Sequence, residues 1–139
     1  MAITQTWTTS FKQQILLGEH DLSTDTLKIA LYSGAATLGK ETTTYSSENE
    51  VTGAGYLAGG IALTGVTVEV GNGIAYVSFD DPTWAGASFT TRGALIYNSS
   101  KDNKSMFVLD FGMNQTAVAE TFRLALPADN PTFALIKLS

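Results

Sequence analysis

One histidine, thirteen carboxylates and no cysteine are what this 139-residue chain offers to chemistry. His20 stands in Gly18-Glu19-His20-Asp21, where an imidazole could take a proton from a nucleophile. There is no thiol for it to activate, and no serine stands in a nucleophile-elbow context. His20 therefore reads as a helix-end histidine bonded to backbone or to Asp21. The pairs Asp80/Asp81 and Asp110/Glu120 could hydrolyse a glycoside if two carboxyl groups faced each other across about 5–10 Å. Nothing in their spacing sets such a gap, so they read as turn and surface groups. Oxygen ligands at Asp21 and Asp25, or at Asp80 and Asp81, could bind calcium, but no EF-hand-like spacing accompanies them. The expectation is no catalytic residue, no metal and no cofactor.

Two short motifs look more specific than they are. Gly53-Ala54-Gly55-Tyr56-Leu57-Ala58 matches the dinucleotide fingerprint, which works only between a buried strand and a helix N-terminus. Ser46 to Glu50 before it is no strand, and Gly59-Gly60 after it would spoil the helix. Asp110-Phe111-Gly112 spells the metal-binding triplet of protein kinases, in a chain far too short for that fold. Here Asp110 is expected to end a strand, Phe111 to be core and Gly112 to turn the chain. Tyr32, Tyr45, Tyr56 and the two tryptophans could stack on sugars, although aromatics are common in β-cores. Asn98-Ser99-Ser100 and Asn114-Gln115-Thr116 fit the glycosylation pattern, but the N-terminus lacks a basic region followed by a hydrophobic one.

Composition narrows the class. The length fits one domain, and the absence of cysteine fits synthesis in a reducing compartment. No run of 18 apolar residues suggests a membrane span. A net charge of −5 opposes sequence-independent binding to nucleic-acid phosphates. Low charge with much Thr, Val and aromatic content suits sheets.

The elements that must position these residues read as follows. Residues 1–9 form a polar arm carrying Trp7, which anchors either in its own core or on a neighbouring subunit. Residues 10–139 form the domain. Ser10 with Gln13 makes a capping box for a helix of about two turns with Phe11, Ile15 and Leu16 on one stripe, ended by Gly18. Leu27, Ile29 and Leu31 alternate in a half-buried strand. The polar stretch Ser33–Glu50, continued by the glycine-rich 53–60, is a long and functional or mobile loop. Those glycines imply positive φ or close approach to another chain. Asn72-Gly73 predicts a type I′ hairpin with Val70 opposite Ala75, Val68 opposite Val77 and Val66 opposite Phe79, all on one apolar face. Trp84–Thr90 is a short strand, and Glu120–Leu126 and Phe133–Leu138 are two more around a turn at Pro127–Pro131. Between them, Ala94–Tyr97 and Met106–Phe111 flank the polar Asn98–Ser105. Both runs are apolar on both faces, which predicts a central hairpin covered on both sides, within one chain or by a second subunit. The fold class is mainly β: an antiparallel β-sandwich, Ig-like or jelly-roll-like, of about eight strands with one short N-terminal helix.

FKQQILLGEHDLSTDTLKIALYSGAATLGKETTTY, EVTGAGYLAGG, GALIYNSS and FVLDFG together span nearly the full length. In these stretches the chain resembles a family of small virion structural proteins of tailed bacteriophages, of the capsid decoration or cement type. The resemblance implies a non-enzymatic β-sandwich, made in the host bacterial cytoplasm, that binds the outer capsid surface of the virion. The implied partners are the major capsid protein and further copies of itself, with a trimer as first expectation, and neither nucleic acid nor membrane. Contacts are expected at Trp7 and Phe11 of the arm and helix, Tyr45 and Tyr56 of the long loop, and Lys101 and Asp102 of the hairpin tip. Rival readings are a tail or head–tail junction protein, a carbohydrate-binding sandwich for host adsorption, and a small glycosidase.

Overall fold

Two long strands, β6 (Thr83–Asn98) and β7 (Lys104–Arg123), form the antiparallel hairpin at the centre of the computed structural model, which describes residues 2–126 and 134–138. Outside β7 lies β1 (Thr6–Trp7); outside β6 lie β2 (Leu27–Tyr32) and then β3 (Ile61–Ala62). The central position expected for this hairpin is therefore observed.

Its length was not expected. Trp84–Thr90 is continuous with Ala94–Tyr97, and residues 120–123 are continuous with Met106–Phe111; Leu124 to Leu126 lie outside any strand. Local irregularities mark where the sequence pattern breaks. The register slips at four places along the pair, and Gly86, Gly112 and Ala119 take positive φ. Such bulges bend a strand without ending it. Gly112 is thus a bulge residue and not a turn. Asp110 sits inside β7, where its Oδ1 meets Arg92 Nε at 3.3 Å and accepts the Gly112 N–H at 2.9 Å. Phe111 is only half-buried, against the edge of the core.

A second sheet contains β4 (Thr67–Gly71), β5 (Ile74–Ser78) and β8 (Lys137–Leu138) in that order. Asn72 and Gly73 have φ of 53° and 74°, as a type I′ turn requires. The register is the expected one, with Val68 opposite Val77 and Val70 opposite Ala75, while Val66 and Phe79 lie just beyond the paired strands. Burial departs from expectation. Val77 is 4% exposed, but Val68 and Val70 on the edge strand β4 are 50% and 77% exposed. The expected turn at Pro127–Pro131 and the start of the last strand at Phe133 lie outside the described residues.

The molecule is mainly β, with two antiparallel sheets, one short helix and eight strands among the described residues, arranged as a sandwich. One core lies between the sheets, where Ile29, Ile96 and Leu109 meet Val77 and Ile136. A second core lies on the opposite face of the larger sheet: Ala30, Tyr32, Leu95, Tyr97 and Val108 are covered by Ile3, Ala36 and Leu38. Both faces of the hairpin are thus covered by this one chain. Strict alternation would set Met106 opposite Phe107, yet both join the first core because the register slips beside Ile96.

Helix α1 (Thr9–Leu16) begins two residues earlier than the Ser10 capping box would place it. Its cap is Thr8, fully buried, whose Oγ1 accepts the Phe11 N–H at 3.3 Å. The other end follows expectation. Gly18 has φ 72°, Gly18 N–H donates to Ile15 O, and Glu19 N–H donates to Gln14 O. These are the paired bonds of a Schellman ending. Residues of the arm are joined to the domain: Ile3 bridges Leu38, β1 pairs with β7, and the Trp7 and Phe11 rings lie 5.5 Å apart.

Candidate functional site

Residues 33–60 connect β2 to β3 with only isolated bridges for secondary structure. A loop of this length is costly to order, because each residue fixed loses backbone entropy. One carboxylate stands at the centre of the bonds that order it. Glu50 Oε1 accepts from the Tyr45 hydroxyl at 2.6 Å, and Oε2 accepts from the Tyr56 hydroxyl and from the Gly59 N–H, the latter at 2.8 Å. The Tyr56 oxygen in turn accepts the Leu31 N–H of β2 at 2.9 Å. Tyr97 of β6 donates to Gly59 O at 2.6 Å, and Tyr32 of β2 donates to Ser46 O at 2.7 Å. Tyr45 stacks on Tyr97 with ring centres 4.8 Å apart. Four tyrosines and one glutamate therefore tie both halves of the loop to the larger sheet.

The glycines of 53–60 have the two uses expected of them, and the chain they approach is their own. Gly60 has φ 78°, and a Cβ there would fall 1.8 Å from Ile29 O on β2. At Gly55, with φ 81°, it would fall 2.8 Å from Ala85 O on β6.

Electrostatically the cluster favours neutral phenols. Burial raises Tyr32, Tyr45 and Tyr56 well above the ordinary tyrosine range, and the negative charge of Glu50 adds to this. Burial and Glu50 push Tyr97 up to about 12. Each phenol is spent as a hydrogen-bond donor and each Glu50 oxygen as an acceptor. The arrangement is a clamp.

What the clamp presents lies on the outer side of the second core. Loop 36–49 and the arm enclose a cleft of about 860 Å³ whose lining includes Thr4, Thr6, Lys40, Glu41, Thr44 and Glu48. The loop is also tied to the hairpin: Tyr45 N–H donates to Asn103 O, Ser105 N–H donates to Thr43 O, and Ser105 Oγ donates to Thr42 O at 2.6 Å.

The residues singled out from sequence fall into three groups. Phe11, fully buried, and Tyr56, 8% exposed, stand behind the surface and support it. Trp7 and Tyr45 are both half-buried, Trp7 against the first core beside Phe11 and Tyr45 against the second core, between the cleft-lining Thr44 and Ser46. Lys101 and Asp102 occupy the hairpin tip, next to the strand end to which Thr43, Thr44 and Tyr45 are bonded. There Lys101 Nζ pairs with Asp25 Oδ2 at 2.9 Å, and Asp102 is exposed with φ 55°. Asp25 is itself a hub. Burial opposes its charge, but hydrogen bonds from Asn98, Lys101 and the Asp21 N–H outweigh this and hold it at about 2. His20 bonds neither backbone nor Asp21, as had been expected; its partners are the side chains of Gln14 and Asn98, at 2.8 and 2.9 Å. Asp21 instead accepts from Ser23 within its own turn.

Sequence reasoning passed over Glu50, and read Asp25 only as an unsupported calcium ligand, Asn98 only as part of a polar tip and a glycosylation pattern, and Tyr97 only as an apolar strand residue. Glu50 sits among polar loop residues with no periodicity, and its partners Tyr45, Tyr56 and Gly59 lie in the same patternless loop. Among the described residues no three His, Cys, Asp or Glu side chains are grouped to hold a metal ion, and no helix is long and apolar enough to cross a membrane. The chain matches no family model, no curated protein and no solved structure.

Proposed function

We propose that this protein is a non-enzymatic structural component of a tailed-phage virion, a decoration protein that binds the outer surface of the capsid and stabilises the shell. The reading rests on the resemblance of four sequence stretches and on one structural observation, the clamped loop. A long loop pinned by Glu50 and four tyrosines presents Lys40, Glu41, Thr44 and Glu48 in one pose. Ordering before contact removes part of the entropy cost of association, which suits a protein whose work is to make a lasting contact. The major capsid protein is the proposed partner of this loop and of the adjoining arm. Self-association as a trimer is part of the same proposal.

The test alters the presented surface and leaves the clamp alone. Lys40 and Thr44 are exposed, so the double variant Lys40→Glu, Thr44→Arg should keep its circular dichroism and melting temperature. It should lose at least tenfold in occupancy on purified particles. Unchanged occupancy would remove the loop as the contact, and density for the protein on the tail in imaged particles would replace the head assignment by a tail one.

A further inference from the structure

We infer that His20, Asn98 and Asp25 form a pH-sensitive latch, which ties the end of α1 to the tip of the β6–β7 hairpin while His20 is neutral and lets go when it is protonated. The roles follow from hydrogen-bond valence. Asn98 is fully buried, and its Oδ1 accepts the Ser100 N–H at 3.0 Å. With the oxygen so placed, Nδ2 donates to Asp25 Oδ2 at 2.7 Å and to His20 Nδ1 at 2.9 Å. His20 Nδ1 must then be the acceptor, and Nε2 carries the proton toward Gln14 Oε1 at 2.8 Å.

A proton on Nδ1 would meet Asn98 Nδ2 donor to donor. Turning the Asn98 amide over would relieve this only by giving up the bonds to Asp25 and to Ser100 N–H. Either response opens the joint. The charges around the ring come from three elements and oppose one another. Asp25 from the connection before β2 and Glu19 from the end of α1 favour the imidazolium, while Lys101 and Lys104 at the hairpin tip disfavour it. Those four are already paired, Lys101 with Asp25 at 2.9 Å and Lys104 with Glu19 at 2.7 Å. Burial then outweighs each of these charges and lowers the His20 pKa below its ordinary 6.5. The start of α1 does not share in the release, because Thr8 caps it and Phe11 is wholly enclosed. The segments that loosen are 18–26 and 98–104.

His20 is the only histidine, so its ring is read without ambiguity in the intact chain. A long-range ¹H–¹⁵N correlation of the imidazole, followed from about pH 8 to about pH 5, should show the Nε2–H tautomer and a midpoint below 6.5. Amide-exchange protection in 18–26 and 98–104, corrected for intrinsic rate, should fall several-fold through that midpoint. His20→Gln keeps an acceptor for Asn98 and cannot be charged, so it should abolish the step. An Nδ1–H tautomer, a midpoint at or above 6.5, protection that does not change through the titration, or a step that survives in His20→Gln would each overturn the latch.

Discussion

Glu50 is the residue on which the loop depends. Removing it strands the Tyr45 and Tyr56 hydroxyls and the Gly59 N–H in a partly buried site. Bonds to a charged acceptor are worth more than neutral ones, and an unmet buried donor costs its desolvation. Glu50→Ala should therefore lower stability by about 2–3 kcal/mol in urea titration; a loss under about 0.5 kcal/mol, the size of an ordinary surface change, would mean the loop is held elsewhere. The same cluster sets an alkaline limit. Its phenols titrate higher folded than unfolded, so the unfolded chain loses protons first as pH rises. Their contribution is complete below the ordinary tyrosine value of 10 and is lost as pH climbs through the folded values, about 12 for Tyr97. Melting temperature should fall steadily from about pH 10 upward, and Tyr97→Phe should make that fall shallower.

At the scale of elements, the β6–β7 hairpin is the scaffold and the loop and helix are attached to it. Leu109 lies in the first third of β7 opposite Ala94, 6% exposed in the core between the sheets. Leu109→Ala should cost about 2–5 kcal/mol by chemical denaturation. A loss below about 1 kcal/mol would contradict the central place of the hairpin. Each turn of the hairpin surroundings was readable where local rules act. Asn72-Gly73 dictated its turn, and the valines dictated the register of β4 on β5. The burial of those valines was not readable, because β4 is an edge strand and nothing among the described residues lies over Val70. The two long strands were read as four for a related reason. Glycine and a broken alternation signal an end or a bulge equally well, and only the partner strand decides which.

For the whole molecule, the arm is part of the fold. Ile3 closes the second core, Trp7 packs on Phe11 and Thr8 caps α1. Deleting residues 1–10 should thus lower stability by about 3 kcal/mol or more, the sum of one buried aliphatic side chain and one lost cap. The urea midpoint measures it, and an unchanged midpoint would make the arm a mere appendage. Any loss of particle binding in that deletion has to be compared with a variant of equal stability. The second core also answers what covers the doubly apolar strands. The arm and loop 33–50 cover one face and the smaller sheet lies over the other, so the contact proposed above would use the outer side of the loop.

The sequence by itself determined the class, the helix ending at Gly18, the type I′ hairpin and the central place of 92–112. Each depends on neighbours within a few positions, through dihedral preference or period-two patterning. Only the tertiary structure decided that Tyr32 and Tyr97 tie the loop around Glu50 to the larger sheet, that His20 and Asp25 meet at Asn98, and that the arm covers the outer face. Many of those contacts join residues far apart in the chain, 38 positions for Tyr97 with Gly59 and 105 for Gln5 with Asp110. They exist because sheet pairing brings the segments together, and pairing partners carry no mark in the local pattern.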